Sequence, residues 1–465
     1  MSRGMKILQL YKNDFAWFCF TISITFIVTL ALYFHVPYFN GPYYWQWKYI
    51  STSVLRTTIY LIPGILCVLI SIIIFKLKKK VYVALAFLLA ANFLLQLGCL
   101  ASSPRGFGMI DEIVKSEAAT GYYTDAQKLH ENIINYNLGI TSWLKVYHSV
   151  SKHVHSLNKP PGGILYYYIF ISLLGAKLAP IVAGLFLSFL TSLAVPLSFS
   201  FARLWTEDCK SQYTCSLLYA IMPGAILFSP EFDQIYPVFT ILFLIFWEMS
   251  LRKNVVYAAI SALTICIATF FAYNILTIGA FIVIEIFMLI LIRNKSISLK
   301  QILTSGLLFL ITFILIQFIT FFLTGFDPLV TLKSALESQE RLLWSIVRPG
   351  GWYIAFDYYD FILASGVAPL GLSLSYISCN LRHMEFTKRQ LQMTTCSLLT
   401  ILVVGLTHLL PGETARVWLF LQPLLLVPAG LSLSSFKSIR AGAVITFVII
   451  LLVTMKSRLL FITTQ

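Results

Sequence analysis

The chain has 465 residues, of which 58% are hydrophobic and only 11% charged, and its mean hydropathy is +0.82. Those values exclude an ordinary soluble globular domain and leave a polytopic α-helical membrane protein. The formal net charge of +15, from 34 Lys and Arg against 19 Asp and Glu, falls in short clusters between apolar runs, which is membrane topology rather than a nucleic-acid stripe. The 8 cysteines are scattered with no CxxC or metal-ligand spacing, so neither a disulfide framework nor a zinc site is expected.

Arg3, Lys6 and Lys12 precede an apolar run over 15–34. It is too long for a signal peptide and lacks a cleavage site, so it reads as a retained first span with a cytoplasmic N-terminus. The aromatic interval from Pro37 to Trp47 suits a membrane–water interface. A second span over 54–75 runs into Lys76, Lys78, Lys79 and Lys80, the strongest orientation signal in the chain, which predicts a cytoplasmic loop. The third span, 81–100, then leads outward to a polar loop over 101–160. Long ordered loops between packed elements usually carry function.

This loop holds the carboxylates Asp111, Glu112, Glu117, Asp125 and Glu131 and the imidazoles His130, His148, His153 and His155. Apolar residues at helical spacing (Ala126, Leu129, Ile133, Ile134) predict a helix from Thr124 to Tyr136. Asp125 then lies near a helix start, as either an N-cap or a catalytic carboxylate. The loop closes on Lys159-Pro160-Pro161-Gly162. The prolines forbid helix through Lys159 and hold its ammonium on a stiff bend. A snorkelling lysine at a helix entry is the plainer reading of the same residues.

The apolar run 164–176 is about thirteen residues, too short to span comfortably. If it lies in the interface or re-enters, 178–202 runs inward and Arg203 and Lys210 become cytoplasmic. Ser229-Pro230-Glu231-Phe232-Asp233-Gln234 is then a tight outer turn, Arg252 and Lys253 lie inside, and 326–358 lies outside. The charge rule holds nearly throughout only in this arrangement, with about thirteen spans in all. In 326–358, Asp327-Pro328 predicts a cap and first-turn pair opening an amphipathic helix. Arg341 and Arg348 are there as cations suited to bidentate phosphate contacts. In Gly412-Glu413-Thr414-Ala415-Arg416 the acid and base are spaced i,i+3, which predicts a local ion pair. An arginine at a membrane is equally a functional candidate.

The predicted outer face therefore collects carboxylates (Asp111, Glu112, Asp125, Glu231, Asp233) and cations (Lys159, Arg341, Arg348, Arg416). Such a set can deprotonate an acceptor and stabilise a departing phosphate. The order of an acidic loop, Lys159-Pro160-Pro161-Gly162, the acidic turn Ser229–Pro237 and Gly412-Glu413-Thr-Ala-Arg416-Val-Trp418 resembles the GT-C membrane glycosyltransferases of the protein-mannosyltransferase and aminoarabinose-transferase type. The likeness covers roughly residues 100–430, with Lys159 where many members have His. The two extra N-terminal spans lie outside the usual core of that family.

The resemblance implies an all-α GT-C-like bundle that moves a sugar from a polyprenyl-phosphate donor to a glycan, lipid or protein acceptor on the extracytoplasmic side, in a bacterial-type plasma membrane. Asp125, with Asp111 and Glu112 as rivals, is the expected base, and Asp233 is expected to hold the acceptor or a metal. Lys159, Arg416, Arg348 and Arg341 are the expected phosphate ligands, with His155 and Glu413 nearby. No cofactor is assigned, and a divalent metal is an open alternative. The expected organisation is three N-terminal spans (1–100), a catalytic loop with interfacial helices (101–177), a central bundle (178–325), the amphipathic loop (326–358) and a C-terminal bundle (359–465). A flippase for a lipid-linked glycan could use the same phosphate-gripping residues without chemistry. Flippases and transporters usually show internal repeats and mid-membrane charges. No repeat is visible, and Glu248 and Glu285 are the acids that read as deep in apolar runs. A scaffold subunit with a dead site is a third, weaker reading.

Overall fold

The computed structural model describes residues 3–41, 46–78, 80–150, 152–292, 297–344, 351–381, 389–407, 410 and 412–462, with only the backbone described for 3–14, 78, 154, 155, 342–344 and 381. Helices dominate, and the only strands among the described residues are Lys48–Tyr49 and Leu459–Leu460, which pair antiparallel. This short ladder ties the end of the loop after the first helix to the C-terminal end of the last one.

Among the described residues 8 helical stretches are long and apolar enough to cross a membrane, from Phe15–Tyr33 to Ser438–Arg458. A further passage is broken: Trp352–Ala364 and Ala368–Asn380 meet at 103°. The expected count of about thirteen treats the apolar runs other than 164–176 as full crossings. Several of those runs are short or interrupted. The run 213–229 is the helix Cys209–Ala220 followed by a turn at Pro223, and 255–271 is the helix Val256–Thr269. In a chain this hydrophobic, burial against neighbouring helices supports segments too short to face lipid alone.

The segment after Lys159-Pro-Pro is a hairpin. Gly175 (φ 72, ψ 161) breaks the helical run Gly162–Ser192, a conformation that glycine adopts without the Cβ penalty. Tyr166 then donates its hydroxyl to Ala183 O at 2.7 Å, and the Phe170 and Phe186 rings lie 5.8 Å apart. In an unbroken helix those pairs would be separated by about 24 Å. The 162–174 arm therefore folds back instead of continuing through the bundle.

Packing also orders the two ends of the bundle. Gly184 sits against Ile110 and Val114 of the 101–160 loop, and Ser188 Oγ meets Ser229 Oγ at 2.6 Å. Gln96 Nε2 reaches Ser188 O, Thr191 Oγ1 and Ser192 Oγ at 3.0–3.2 Å, a buried polar network that registers this helix on Val81–Ala101. By Trp205 the chain has reached the other end, where Arg252 and Arg389 lie 5.3 and 5.9 Å from that ring. Tyr213 stacks there on Phe75, 3.9 Å away and next to Lys76. Residues 184–204 thus run from the end that carries the loop to the end that carries the lysine cluster, and the hairpin stays at the loop end.

Gly162 seals the hairpin to the bundle. Its N–H donates to Phe270 O at 2.8 Å, and a Cβ at Gly162 would strike that same carbonyl and the Phe271 ring. Gly162→Val should therefore lower stability by about 1–3 kcal/mol, as overpacking does, read as a fall in Tm in detergent. Single cysteines replacing the exposed Lys177 and Lys210 should be labelled by a membrane-impermeant thiol reagent from opposite sides. Labelling of both from one side would contradict the hairpin placement.

Candidate active site

Arg416 is the centre of the site. Its guanidinium lies 3.1 Å from Glu231, 3.3 Å from Asp233 and 2.5 Å from Glu413, and it also donates to Ala119 O at 3.3 Å. The expected i,i+3 pair with Glu413 is present, but two further carboxylates come from a turn far away in sequence. Burial opposes the arginine's charge, yet Glu231, Glu413 and Asp233 outweigh it and hold the guanidinium protonated. Glu231 is the loser in this balance. Burial pushes its carboxyl up to about 7 against the pull of Arg416, with Asp233 adding to the rise.

Local backbone explains how these side chains converge. Glu231, Phe232 and Asp233 form a turn entering the helix Tyr236–Arg252, with Phe232 packed among Tyr122, Tyr166, Tyr167 and Phe271. The two acids flanking Phe232 are thereby fixed at the surface of an aromatic core. On the other side, Gly412 (φ 80) and Glu413 (φ 48) turn the chain into the short helix Thr414–Val417. Asp360 holds that helix by accepting from Ala415 N at 2.7 Å and from Trp47 Nε1 at 2.6 Å. Asp357 accepts from Gly412 N at 3.2 Å, and its backbone carbonyl accepts from Thr414 Oγ1 at 2.6 Å.

Lys159 completes the site. Its ammonium is 3.8 Å from Asp233 and 5.8 Å from the centre of the Tyr236 ring, at the limit of an ion pair and with donor capacity to spare. Its carbonyl accepts from the Tyr147 hydroxyl at 2.9 Å. Three carboxylates against the two cations Arg416 and Lys159 leave one formal negative charge.

Asp125 lies one layer away. It is not an N-cap: that position is Gly121, and Asp125 is the fourth residue of the helix Tyr122–Tyr136. Its carboxylate accepts from His153 N at 3.0 and 3.3 Å and pairs with Lys128 at 3.8 Å. Lys152, next in the chain, donates to Tyr147 O at 2.6 Å and sits 3.6 Å above the Tyr147 ring. Burial, partly offset by Asp125, pulls the Lys152 ammonium down to about 8. Asp125 thus anchors the segment whose Tyr147 carries Lys159.

The remaining sequence-predicted residues are not drawn into the cluster. Asp111 pairs with Lys115 at 2.7 Å and Glu112 with Arg105 at 2.9 Å, both in or beside the helix Gly108–Lys115. Arg341 is exposed on the helix Pro328–Trp344 and donates to Glu337 O of its own helix. That helix does open as expected, with Asp327 accepting from Leu329 N and Val330 N. Arg348 and the His155 side chain lie outside the described residues. Asp357 and Asp360 escaped sequence reading because the expected end of the outer loop, at 358, falls between them, although two acids at i,i+3 in an apolar run were the signal. Among the described residues no group of three or more His, Cys, Asp or Glu is arranged to hold a metal ion. The three acids of the site face a guanidinium, which takes the place a cation would fill.

No protein-family model and no curated protein matches this sequence significantly. Among solved structures, the chain matches an oligosaccharyltransferase from Archaeoglobus fulgidus, crystallised with a tethered acceptor peptide, with a TM-score of 0.52 and 13% identity over 82% of this chain. The match takes in 55% of that protein, so the chain spans little more than half of its length.

Two measurements test this geometry. Arg416→Leu strands three carboxylates at a buried place and should cost about 3–5 kcal/mol of stability, with Glu231→Gln in the same chain recovering part of the loss. The raised Glu231 carboxyl means that the folded chain binds more protons than the unfolded one between about pH 4.5 and 7. Its contribution is therefore fully favourable below that window and is lost as pH rises through it. Thermal unfolding should show Glu231→Gln gaining on the wild type between pH 5 and 7.5, and parallel pH profiles would refute the assignment. The helical bundle around this cluster shares the fold of that archaeal oligosaccharyltransferase.

Proposed function

We propose that the protein is a membrane glycosyltransferase that takes a sugar from a polyprenyl-phosphate donor and passes it to an acceptor hydroxyl or amine at the loop end of the bundle. The observation that carries this reading is the meeting of Lys159, Asp233, Glu231, Glu413 and Arg416 at one place. That geometry shifts the expected roles. Arg416 is ringed by three carboxylates, so it serves to organise them and is a poor phosphate ligand. Lys159 has one loose contact and suits the donor phosphate. Asp233, flanked by both cations, suits the general base, and Asp125 suits a positioning role through His153, Tyr147 and Lys159.

In the proposed step the acceptor proton passes to Asp233 as the acceptor atom bonds to the anomeric carbon. The bond from that carbon to the phosphate oxygen breaks, and its electron pair stays on the lipid phosphate, whose added charge Lys159 offsets. No step is routed through a metal. The fold likeness to an archaeal oligosaccharyltransferase supports the reaction class, while the sugar and the acceptor remain for assay.

With reconstituted protein and a panel of polyprenyl-phosphate sugars, Asp233→Asn should reduce turnover roughly 10²–10⁴-fold, the range of general-base loss. Lys159→Met should weaken donor binding by about 1.5–3 kcal/mol, as loss of a charged hydrogen bond does. Asp125→Asn keeps an acceptor for His153 N–H and should act mainly on KM. A dead Asp125→Asn beside a normal Asp233→Asn would move the base to Asp125. Translocation of the donor without sugar transfer in any variant would favour a flippase.

A further inference from the structure

A cavity lies behind the acidic turn. It has a volume of about 90 Å³ and is lined by Thr52, Ser102, Ser103, Ser229 and Lys456 among apolar neighbours. Ser229 is two residues from Glu231, so this cavity backs onto the turn and is separate from the Arg416 cluster. Lys456, near the end of the helix Ser438–Arg458, reaches in and donates to Ser103 Oγ at 2.9 Å.

Two guanidinium groups hold the same walls. Arg56 donates to Ser103 O at 2.9 Å, and Arg458 donates to Thr52 O at 3.1 Å. Arg458 Nε is buried without a hydrogen-bond partner. Three cations thus gather around 52 and 102–103, and among the described residues none of them pairs with a carboxylate. The contrast with Arg416, ringed by three acids, is complete. Charge held at the edge of a low-dielectric bundle without a counter-ion is costly, and an anion supplied from outside would relieve it.

We infer that this cavity binds a phosphate anion, with Lys456 inside and Arg56 and Arg458 at its walls. The hydroxyls of Thr52, Ser102 and Ser103 donate to backbone carbonyls, so the ammonium of Lys456 is the donor that faces the phosphate, in a lining free of acids. The phosphate can come from an anionic membrane lipid or from free phosphate, and the apolar part of the lining (Ile50, Leu459 and Ile462) gives a lipid's glycerol end a surface to rest on. The inference does not depend on the transferase reading.

The test uses full-length protein in nanodiscs, with Tm measured in three settings: phosphatidylcholine, phosphatidylcholine with added inorganic phosphate, and phosphatidylglycerol. Phosphatidylcholine carries its own counter-charge and serves as the reference. The wild type should gain Tm over that reference, with phosphatidylglycerol alone if a lipid headgroup is the ligand and with inorganic phosphate too if the free anion is. Lys456→Met should weaken the apparent affinity at least about tenfold, as expected for loss of a charged hydrogen bond. Arg56→Gln, on an exposed side chain, should weaken it as well and covers the case in which the lysine variant does not fold. Equal Tm of the wild type in all three settings, or an unchanged gain in both variants, would overturn the inference.

Discussion

One buried guanidinium holds this structure's functional end together. Arg416 is bound by acids from two distant parts of the chain, and removing any partner would leave a charge in a medium that solvates it poorly. The helix Thr414–Val417 is only four residues long, too short to hold itself. Its position depends on Asp360 and Asp357 below it and on the acids of the 231–233 turn beside it. The aromatic packing of Phe232 fixes that turn in its turn, so charge and shape specify the same arrangement.

This network separates holding from acting. Arg416 is paired with three carboxylates, whereas Lys159 meets one carboxylate at 3.8 Å. The stiffness of Lys159-Pro160-Pro161, the Tyr147 hydroxyl on the lysine carbonyl and the Gly162–Phe270 bond hold that ammonium beside Asp233. Asp125 contributes from further back, by fixing His153 and with it the strand of chain that leads to the lysine. The two cationic groupings at the loop end differ in the same respect. One is balanced internally, and the other, at Lys456, Arg56 and Arg458, lacks an internal counter-charge.

The opposite end of the bundle shows that charge in a membrane protein need not mark a site. Glu248 pairs with Arg252 at 2.7 Å, and Glu285 accepts from Trp247 Nε1 at 3.1 Å. The first pair lies within the helix Tyr236–Arg252, and the second ties that helix to Gly279–Leu291, near the lysine-rich end. Glu248 and Glu285 were the acids most visible as mid-membrane charges, while Asp357 and Asp360, which hold the turn at Gly412 and the helix Thr414–Val417, flank the expected boundary at 358.

By itself the sequence determined the class of the molecule, because apolar runs of span length leave a helical membrane bundle as the viable solution. It also determined the lysine-rich end, the cap at Asp327, the bend at Lys159-Pro-Pro and the local pair of Glu413 with Arg416, since each depends on residues close in the chain. The order of motifs carried the GT-C likeness for the same reason. Tertiary structure alone decided which acids share Arg416, because Glu231 and Asp233 lie far from it in sequence and no local spacing links them. It also decided that Asp125 reaches a backbone N–H in another part of its loop and that Asp111 and Glu112 spend their charge on neighbours. Span count fell between the two: hydropathy reports how apolar a run is, but packing against other helices decides whether a short or broken run can be buried.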